Sequence, residues 1–202
     1  MTWETLPNYA FIGVRGAGKT YAMHRMLQRN RLRYVIVDPK SEINDTFAHD
    51  DINRIIATTR EYEVCPIVWH CGRMQKAIRL KGVERLTVEM CHNETRIDTL
   101  AIDEMGVVCP RQPLPDEVMD YTRMGRKFGF SLWVASQRAV DIHPDVRQLC
   151  DGLFVFRQTE RNDIVRLNGI LAGLGDASAR LPNRYYFYVE NGRVSKPRCF
   201  TK

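Results

Sequence analysis

A glycine-rich segment near the start of the chain limits the folds that the sequence can adopt. Residues 13–20 read GVRGAGKT, and they lie between the apolar run YAFIG at 9–13 and an amphipathic segment at 19–30. Glycines let a loop turn tightly with its backbone N–H groups facing inward, which favours the order strand, loop, helix. That order is typical of α/β proteins, in which helices alternate with parallel strands.

The rest of the sequence repeats this alternation. Short runs rich in β-branched and aromatic residues predict buried strands at 9–13, 34–38, 66–70, 99–103, 131–135 and 152–156. Helical patterns fall at 19–30, about 83–92, 115–127 and about 160–171. The fold class is therefore predicted to be α/β, with a mostly parallel central sheet covered by helices on both faces. Segments 41–63 and 109–115 are predicted to be irregular.

The length and net charge of the chain limit its domain number, its location and its partners. A chain of 202 residues is long enough for one ordinary core, and we expect a single domain over 1–202. No apolar run approaches the roughly 18–20 residues that cross a bilayer, and residues 1–10 lack the pattern of a secretory signal, so we expect a cytoplasmic protein with six reduced cysteines. The net charge of +6 favours a polyanionic partner, although many basic proteins bind no nucleic acid.

The segment at 13–20 fits the pattern G-x-x-x-x-G-K-[ST], the P-loop or Walker A motif. In such a loop, backbone N–H groups surround phosphates, and the N-terminus of the following helix adds partial positive charge. Lys19 is expected to reach the β- and γ-phosphates, and the Thr20 hydroxyl to bind Mg²⁺. The predicted nucleotide-binding residues are contiguous: Gly13, Val14, Arg15, Gly16, Ala17, Gly18, Lys19, Thr20 and Tyr21.

A second motif, TLAIDEMG at 99–106, is an apolar strand that ends in two adjacent acids. Asp103 is predicted to hold Mg²⁺ as a Walker B aspartate, and Glu104 to face the γ-phosphate. A carboxylate there can polarise an attacking water, which an ATP hydrolase needs, whereas a nucleoside kinase transfers the phosphoryl group to a substrate hydroxyl. The two motifs together predict ATP and Mg²⁺ as cofactors.

A third motif, GRKFGFSLWVASQR at 125–138, is a basic helical segment that passes through a glycine into an apolar strand. The strand ends at Gln137, which we predict to lie at the tip of the strand next to the acidic one. From there its amide can hydrogen-bond the γ-phosphate or the attacking water. Gln137 is therefore a predicted catalytic residue, together with Lys19 and Glu104.

Taken in order, these motifs resemble those of the FtsK/HerA superfamily of DNA-pumping ATPases. The segments that carry the resemblance span about 9–171, and they are GVRGAGKT, VIVDPKSE at 35–42, LAIDEMG, GRKFGFSLWVASQR and CDGLFVFRQTERND at 150–163. ASQR after GRKFG is the distinguishing part. The resemblance implies a RecA-like P-loop NTPase core. The small size makes the plan most similar to the compact genome-packaging ATPases of membrane-containing icosahedral viruses.

That resemblance implies that the chain hydrolyses ATP to translocate double-stranded DNA into a viral capsid, working as a homo-oligomeric ring. Arg126 is then the candidate arginine finger, which would reach the neighbouring subunit's γ-phosphate, and Arg123 is the second candidate. A solvated surface or a DNA contact is the alternative for both arginines. Capsid or vertex proteins are further candidate partners, and the host cytoplasm or a packaging vertex of the virion is the implied location.

Three other function classes stay open. A filamentous-phage-type assembly ATPase usually continues into a membrane helix, for which the sequence has no candidate. An AAA+ type helicase loader predicts a C-terminal helical lid, and a small-molecule kinase predicts an acceptor pocket with an arginine-bearing lid. The segment at about 179–202 instead reads as a strand-like tail with six basic residues and one acid. It could contact nucleic acid or form a solvated sheet edge.

Two weaker features leave their alternatives open. Asp38-Pro39-Lys40 ends a predicted strand, where it could lie near the nucleotide, contact a neighbouring subunit or form a simple turn. His70-Cys71 and Cys91-His92 contain four possible zinc ligands, but they lack the C-x-x-C spacing that makes a structural zinc site convincing.

Overall fold

A computed structural model describes residues 6–44, 47–62, 66–91, 97–109 and 115–200, without the side chain of Arg126. The described strands form one sheet, and all six predicted strands are present in it. The strands are β1 Tyr9–Ile12, β2 Tyr34–Asp38, β3 Phe47–His49, β4 Pro66–His70, β5 Thr99–Ile102, β6 Ser131–Ser136, β7 Gly152–Phe156, β8 Tyr185–Glu190, β9 Arg193–Val194 and β10 Arg198–Cys199.

Helices connect most of the strands. Each of the four predicted helices is present, with shifted ends. The helices are α1 Lys19–Arg29, α2 Ile52–Glu61, α3 Lys76–Cys91, α4 Met105–Val108, α5 Asp116–Met124, α6 Pro144–Gln148, α7 Arg161–Ile170 and α8 Leu174–Ala179. Two short 3₁₀ turns follow α5 and β6, at Gly125–Phe128 and Ala139–Asp141.

The strand order decides which loops meet. Along the sheet the order is β10-β8-β7-β1-β6-β5-β2-β4-β3, and β9 pairs with β8. The strands from β7 to β3 are parallel to one another, whereas β8 is antiparallel to its neighbours β7, β9 and β10. Because the carboxyl ends of parallel strands share one edge, the loops after β1, β2, β5 and β6 lie side by side there.

Two apolar layers cover the two faces of the sheet. Alternate side chains of β2 point to opposite layers: Val35 and Val37 pack with α2, α3 and α5, whereas Tyr34 and Ile36 pack with α1. This period of two explains why the central strands read as continuous apolar runs, since both of their faces are buried. The predicted α/β fold with a mostly parallel sheet is confirmed.

Part of the segment at 41–63, predicted to be irregular, folds into β3 and α2. Helix α2 begins after Asp51, whose side chain accepts a hydrogen bond from the backbone N–H of Asn53 at 2.9 Å, and it buries Ile55 and Ile56. The prediction overlooked this helix, although Ile52, Ile55 and Ile56 have the i, i+3, i+4 spacing of an apolar helical face. Most of the other segment predicted to be irregular, 110–114, lies outside the described residues.

Two predicted helix limits were wrong. Helix α3 begins at Lys76 rather than near 83, because its first turns are largely exposed and carry no apolar stripe; burial begins at Gly82. Helix α5 ends at Met124 rather than continuing to 127, because the chain tightens into the 3₁₀ turn at Gly125–Phe128. Among the described residues, none of the helices combines the length and apolarity needed to span a membrane.

Candidate active site

A cleft opens at the carboxyl edge of the sheet, over the loop that joins β1 to α1. Its volume is about 420 Å³. Clefts at this edge of open α/β sheets are where such folds bind ligands. Six of the predicted P-loop residues line the cleft: Arg15, Gly16, Gly18, Lys19, Thr20 and Tyr21.

The other three predicted P-loop residues shape the loop through its backbone. The N–H of Gly13 donates to the Ser136 carbonyl at 3.2 Å, and the N–H of Val14 donates to the Arg157 carbonyl at 3.0 Å. A Cβ atom on Gly13 would lie 2.5 Å from the Cβ of Phe156, so the close packing on β7 requires glycine. Ala17 is buried beneath the loop.

Lys19 lies inside the loop rather than on its surface. Its side chain is buried, and its Nζ donates to the Val14 carbonyl at 3.1 Å. Burial lowers the pKa of Lys19, and the carboxylates of Glu104 and Asp103 oppose that effect. The ammonium group is therefore held at the N-terminus of α1, where the helix dipole also favours an anion such as phosphate.

Thr20 and Asp103 meet across the cleft, as a metal site would require. The Thr20 hydroxyl donates to Asp103 Oδ1 at 3.0 Å, and Asp103 is fully buried. Asp103 Oδ2 is buried without a hydrogen-bond partner among the described residues. Burial raises the pKa of Asp103 to about 6, and the neighbouring Lys40 opposes that effect. An uncompensated buried oxygen beside a hydroxyl fits Mg²⁺, which binds hard oxygen ligands.

Glu104 is buried beside the cleft and is held between two donors. Lys40 Nζ lies 2.7 Å from Glu104 Oε1, and Gln137 Nε2 donates to the same oxygen at 3.1 Å. Glu104 itself has a φ of 55°, a left-handed conformation that non-glycine residues rarely adopt. Such strain is kept where surrounding contacts hold the residue in place, often at functional sites.

Lys40 was not predicted to be a site residue, although the segment Asp38-Pro39-Lys40 was considered. The Asp38 carboxylate accepts hydrogen bonds from the N–H groups of Lys40 at 2.9 Å and Ile43 at 2.8 Å. This turn directs the Lys40 side chain into the cleft. Asp38-Pro39-Lys40 therefore forms a turn and also contributes a side chain to the site. From the sequence, a turn and a position near the nucleotide were alternatives.

Gln158 was also missed, because it lies 21 residues from its partner in sequence. Its side chain is fully buried after β7, and its Nε2 lies 3.5 Å from the Gln137 carbonyl. The arginine of ASQR, Arg138, faces away from the cleft and pairs with the buried Asp163 at 3.2 Å. Both contacts fix the backbone around Gln137 and so support the position of its amide.

Of the two arginine-finger candidates, Arg123 lies away from these contacts. Arg123 is exposed at the end of α5, 3.6 Å from the Asp145 carboxylate. The Arg126 side chain lies outside the described part of the chain, and its backbone belongs to the 3₁₀ turn. Helix α5 ends at Met124, so Arg123 belongs to the α-helix and Arg126 to the 3₁₀ turn that follows it.

Of the residues weighed for zinc, His70 has other contacts, Cys71 and Cys91 are free cysteines, and His92 is not described. The Nε2 atom of His70 is 2.8 Å from the Ile43 carbonyl and 3.8 Å from Asp38 Oδ2. Cys71 is buried, and burial raises the pKa of its thiol to about 12. His92 lies outside the described residues.

Comparisons with solved structures reveal similar folds over nearly the whole chain. The genome packaging NTPase B204 from Sulfolobus turreted icosahedral virus 2, in complex with AMPPCP, is 14% identical over 97% of this chain and 98% of its own, with a TM-score of 0.76. The DNA-packaging ATPase B204 from Sulfolobus turreted icosahedral virus is 16% identical over 96% of this chain and 98% of its own, with a TM-score of 0.73.

A third similar structure is VirB4 of Thermoanaerobacter pseudethanolicus, 12% identical over 96% of this chain and 90% of its own, with a TM-score of 0.72. No protein-family model matches the sequence, and no curated protein matches it. At these identities the similarity establishes the fold, and it confirms the resemblance to packaging-type NTPases at that level.

Asp103 gives a prediction about pH and metal binding. Its pKa is raised from 3.8 to about 6, so the folded protein binds an extra proton between these values, and its stability falls as pH rises through that window. Without metal, Asp103→Asn should therefore be more stable than the unmodified protein at pH 7.5, by up to about 3 kcal/mol. Urea denaturation in EDTA at pH 7.5 and pH 4 measures this difference, which should shrink at pH 4.

Added Mg²⁺ with ADP separates the metal role from simple burial. The metal stabilises an ionised carboxylate, so the unmodified protein should gain more stability from Mg²⁺ and ADP than Asp103→Asn gains. Equal gains in the two proteins would contradict the assignment of Asp103 as a Mg²⁺ ligand.

Proposed function

We propose that this chain is a single P-loop ATPase domain that translocates double-stranded DNA, packaging a viral genome into a capsid as a homo-oligomeric ring. The arrangement of side chains around Glu104 is the observation that supports ATP hydrolysis. Its carboxylate lies between Lys40 and Gln137, beside the Thr20–Asp103 pair and the buried Lys19. A carboxylate that faces the phosphate end of the cleft suits activation of water.

Each of these site residues then has a defined task. The P-loop N–H groups and Lys19 bind the phosphates, and Thr20 with Asp103 would hold Mg²⁺, which would neutralise phosphate charge. Glu104 accepts a proton from the attacking water, and the Gln137 amide orients that water or the γ-phosphate.

Lys40 links substrate binding to the base in this proposal. Its ammonium lies on Glu104 Oε1, the oxygen that Gln137 also contacts. While Lys40 stays on Oε1, its ammonium competes with water for that oxygen. A γ-phosphate in the cleft offers Lys40 a more highly charged partner, so phosphate binding would release Glu104 for catalysis.

Translocation of DNA is supported by two observations of different kinds. The fold matches a viral genome packaging NTPase over 97% of this chain and 98% of that one, so the two chains share their plan end to end. The net charge of +6 suits a DNA partner. In the described residues, the C-terminal segment forms strands β8–β10 rather than the helical lid that an AAA+ helicase loader would need.

The first prediction from this proposed function separates ATP binding from ATP turnover. Lys19→Ala should weaken ATP binding roughly 100-fold or more, because it removes the buried cation that contacts the phosphates. Glu104→Gln should bind ATP normally and lower kcat by a factor of about 10²–10⁴, because it loses only the base. Calorimetric titration with ATP and steady-state phosphate release measure the two effects. An active Glu104→Gln protein would remove Glu104 as the base.

The second prediction tests the DNA partner. Duplex DNA should stimulate ATP hydrolysis, and its affinity should depend little on sequence, because phosphate contacts carry no base information. Binding should weaken steeply with salt, with a logarithmic slope of about −0.9 for each phosphate contacted. Fluorescence anisotropy with two duplexes of unrelated sequence, at several salt concentrations, measures both. Affinity that ignores salt would contradict the translocase proposal.

The third prediction tests the shared site of a ring. If Arg126 acts on a neighbour's nucleotide, specific activity should rise with protein concentration, and Arg126→Ala should bind ATP normally but hydrolyse it about 10³-fold more slowly. Mixing Arg126→Ala with Lys19→Ala should restore activity, because an intact finger then meets an intact P-loop at some interfaces. Arg126→Lys should rescue little.

Arg123→Ala in the same mixing experiment decides between the two arginines. The variant that is complemented by Lys19→Ala carries the finger. Activity that is independent of protein concentration, with both mixtures inactive, would contradict the shared-site part of the proposal and leave the ATPase part intact.

A further inference from the structure

The cleft continues past the P-loop on the side away from Glu104. Strands β6 and β5 lie on one side of β1 and bring Gln137 and Glu104 to the carboxyl edge. Strands β7, β8 and β10 lie on the other side. At that side Phe156, Arg184 and Phe200 line the same cleft.

The antiparallel strands explain how these residues reach the same edge. Phe156 is the last residue of β7. Because β8 runs opposite to β7, Arg184 lies just before β8 at that edge. Strand β10 runs opposite to β8, with Cys199 beside Tyr185, so Phe200 follows β10 at the edge as well.

Direct contacts fix this side of the cleft against the P-loop. The Arg184 N–H donates to the Ala17 carbonyl at 3.1 Å. A Cβ atom on Gly18 would lie 3.7 Å from Arg184 Cγ and 3.8 Å from Phe156 Cε1. The Phe200 ring is partly exposed and stacks on Tyr186, with the ring centres 4.7 Å apart and the planes 23° from parallel.

We propose that Phe200 and Arg184 form the subsite for the purine base of the nucleotide, an inference that rests on the proposed function. Lys19, Glu104 and Gln137 place the γ-phosphate on the β6–β5 side of the loop. A triphosphate bound along the loop must therefore direct its nucleoside toward the β7–β8 side. Aromatic faces and arginine side chains stack on nucleobases, and a purine offers a larger face than a pyrimidine.

Comparing ATP with inorganic tripolyphosphate isolates the base. Phe200→Ala should bind ATP about tenfold more weakly and tripolyphosphate unchanged, because stacking on the base is lost and the phosphate contacts remain. The unmodified protein should also bind ATP more tightly than CTP, and Phe200→Ala should reduce that preference. Calorimetric titration in Mg²⁺ measures these affinities.

A matched control separates stacking from loss of an aromatic core residue. Phe187 is a half-buried aromatic of β8 that packs on the opposite face of the sheet. Phe187→Ala should leave both affinities unchanged. Phe200→Leu keeps an apolar side chain without a ring face, so it replaces Phe200→Ala if that variant does not fold. It should also lower the affinity for ATP and leave the affinity for tripolyphosphate unchanged. Phe200→Trp should retain ATP affinity, with indole emission that ATP quenches and tripolyphosphate does not.

The outcomes distinguish this inference from the proposed function. Unchanged ATP affinity in Phe200→Ala and Phe200→Leu, or an equal loss for ATP and tripolyphosphate, would overturn the base subsite. Such a result would leave the P-loop ATPase standing if both probes still require Lys19. If the unmodified protein binds neither probe, the proposed function itself fails.

Discussion

Two lysines and two carboxylates lie together beside the P-loop, and the rest of the site depends on the balance of their charges. Lys19, Asp103 and Glu104 are each at most 4% exposed. A single charge buried to this extent would be costly, whereas charges of opposite sign a few ångströms apart compensate one another. Lys40 adds a second cation beside these three side chains, through its contact with Glu104.

The sheet order allows this balance. Strand β6 lies between the P-loop strand β1 and the acid strand β5, so its end brings Gln137 between the loop and Glu104. Backbone hydrogen bonds join the neighbouring strand ends, from Gly13 to Ser136 and from Asp103 to Val37. The polar groups are thus held by rigid strands, which is the pre-organisation that electrostatic catalysis requires. The antiparallel strands β8 and β10 extend the same edge toward the proposed base subsite.

The candidate site was predictable from the sequence where its signals are local. The P-loop residues, Asp103, Glu104 and Gln137 each follow an apolar run, and the end of such a run identifies the edge at which they lie. Lys40 and Gln158 also follow apolar runs, but such a run does not indicate which distant residue each side chain contacts. Lys40 is 64 residues from Glu104 in sequence, and nothing in the sequence around either residue indicates their contact. Helix α2 was missed although Ile52, Ile55 and Ile56 have helical spacing.

The sequence by itself determined the six core strands, the P-loop and the identity of the acids, because the spacing of apolar residues and the turn preference of glycine act within a few residues. The tertiary structure decided which strands are neighbours, which cation pairs with Glu104, and that β8 and β10 fold back to bring Arg184 and Phe200 to the P-loop. These features depend on packing and charge compensation between segments far apart in the chain, and such through-space interactions leave no periodic pattern in the sequence.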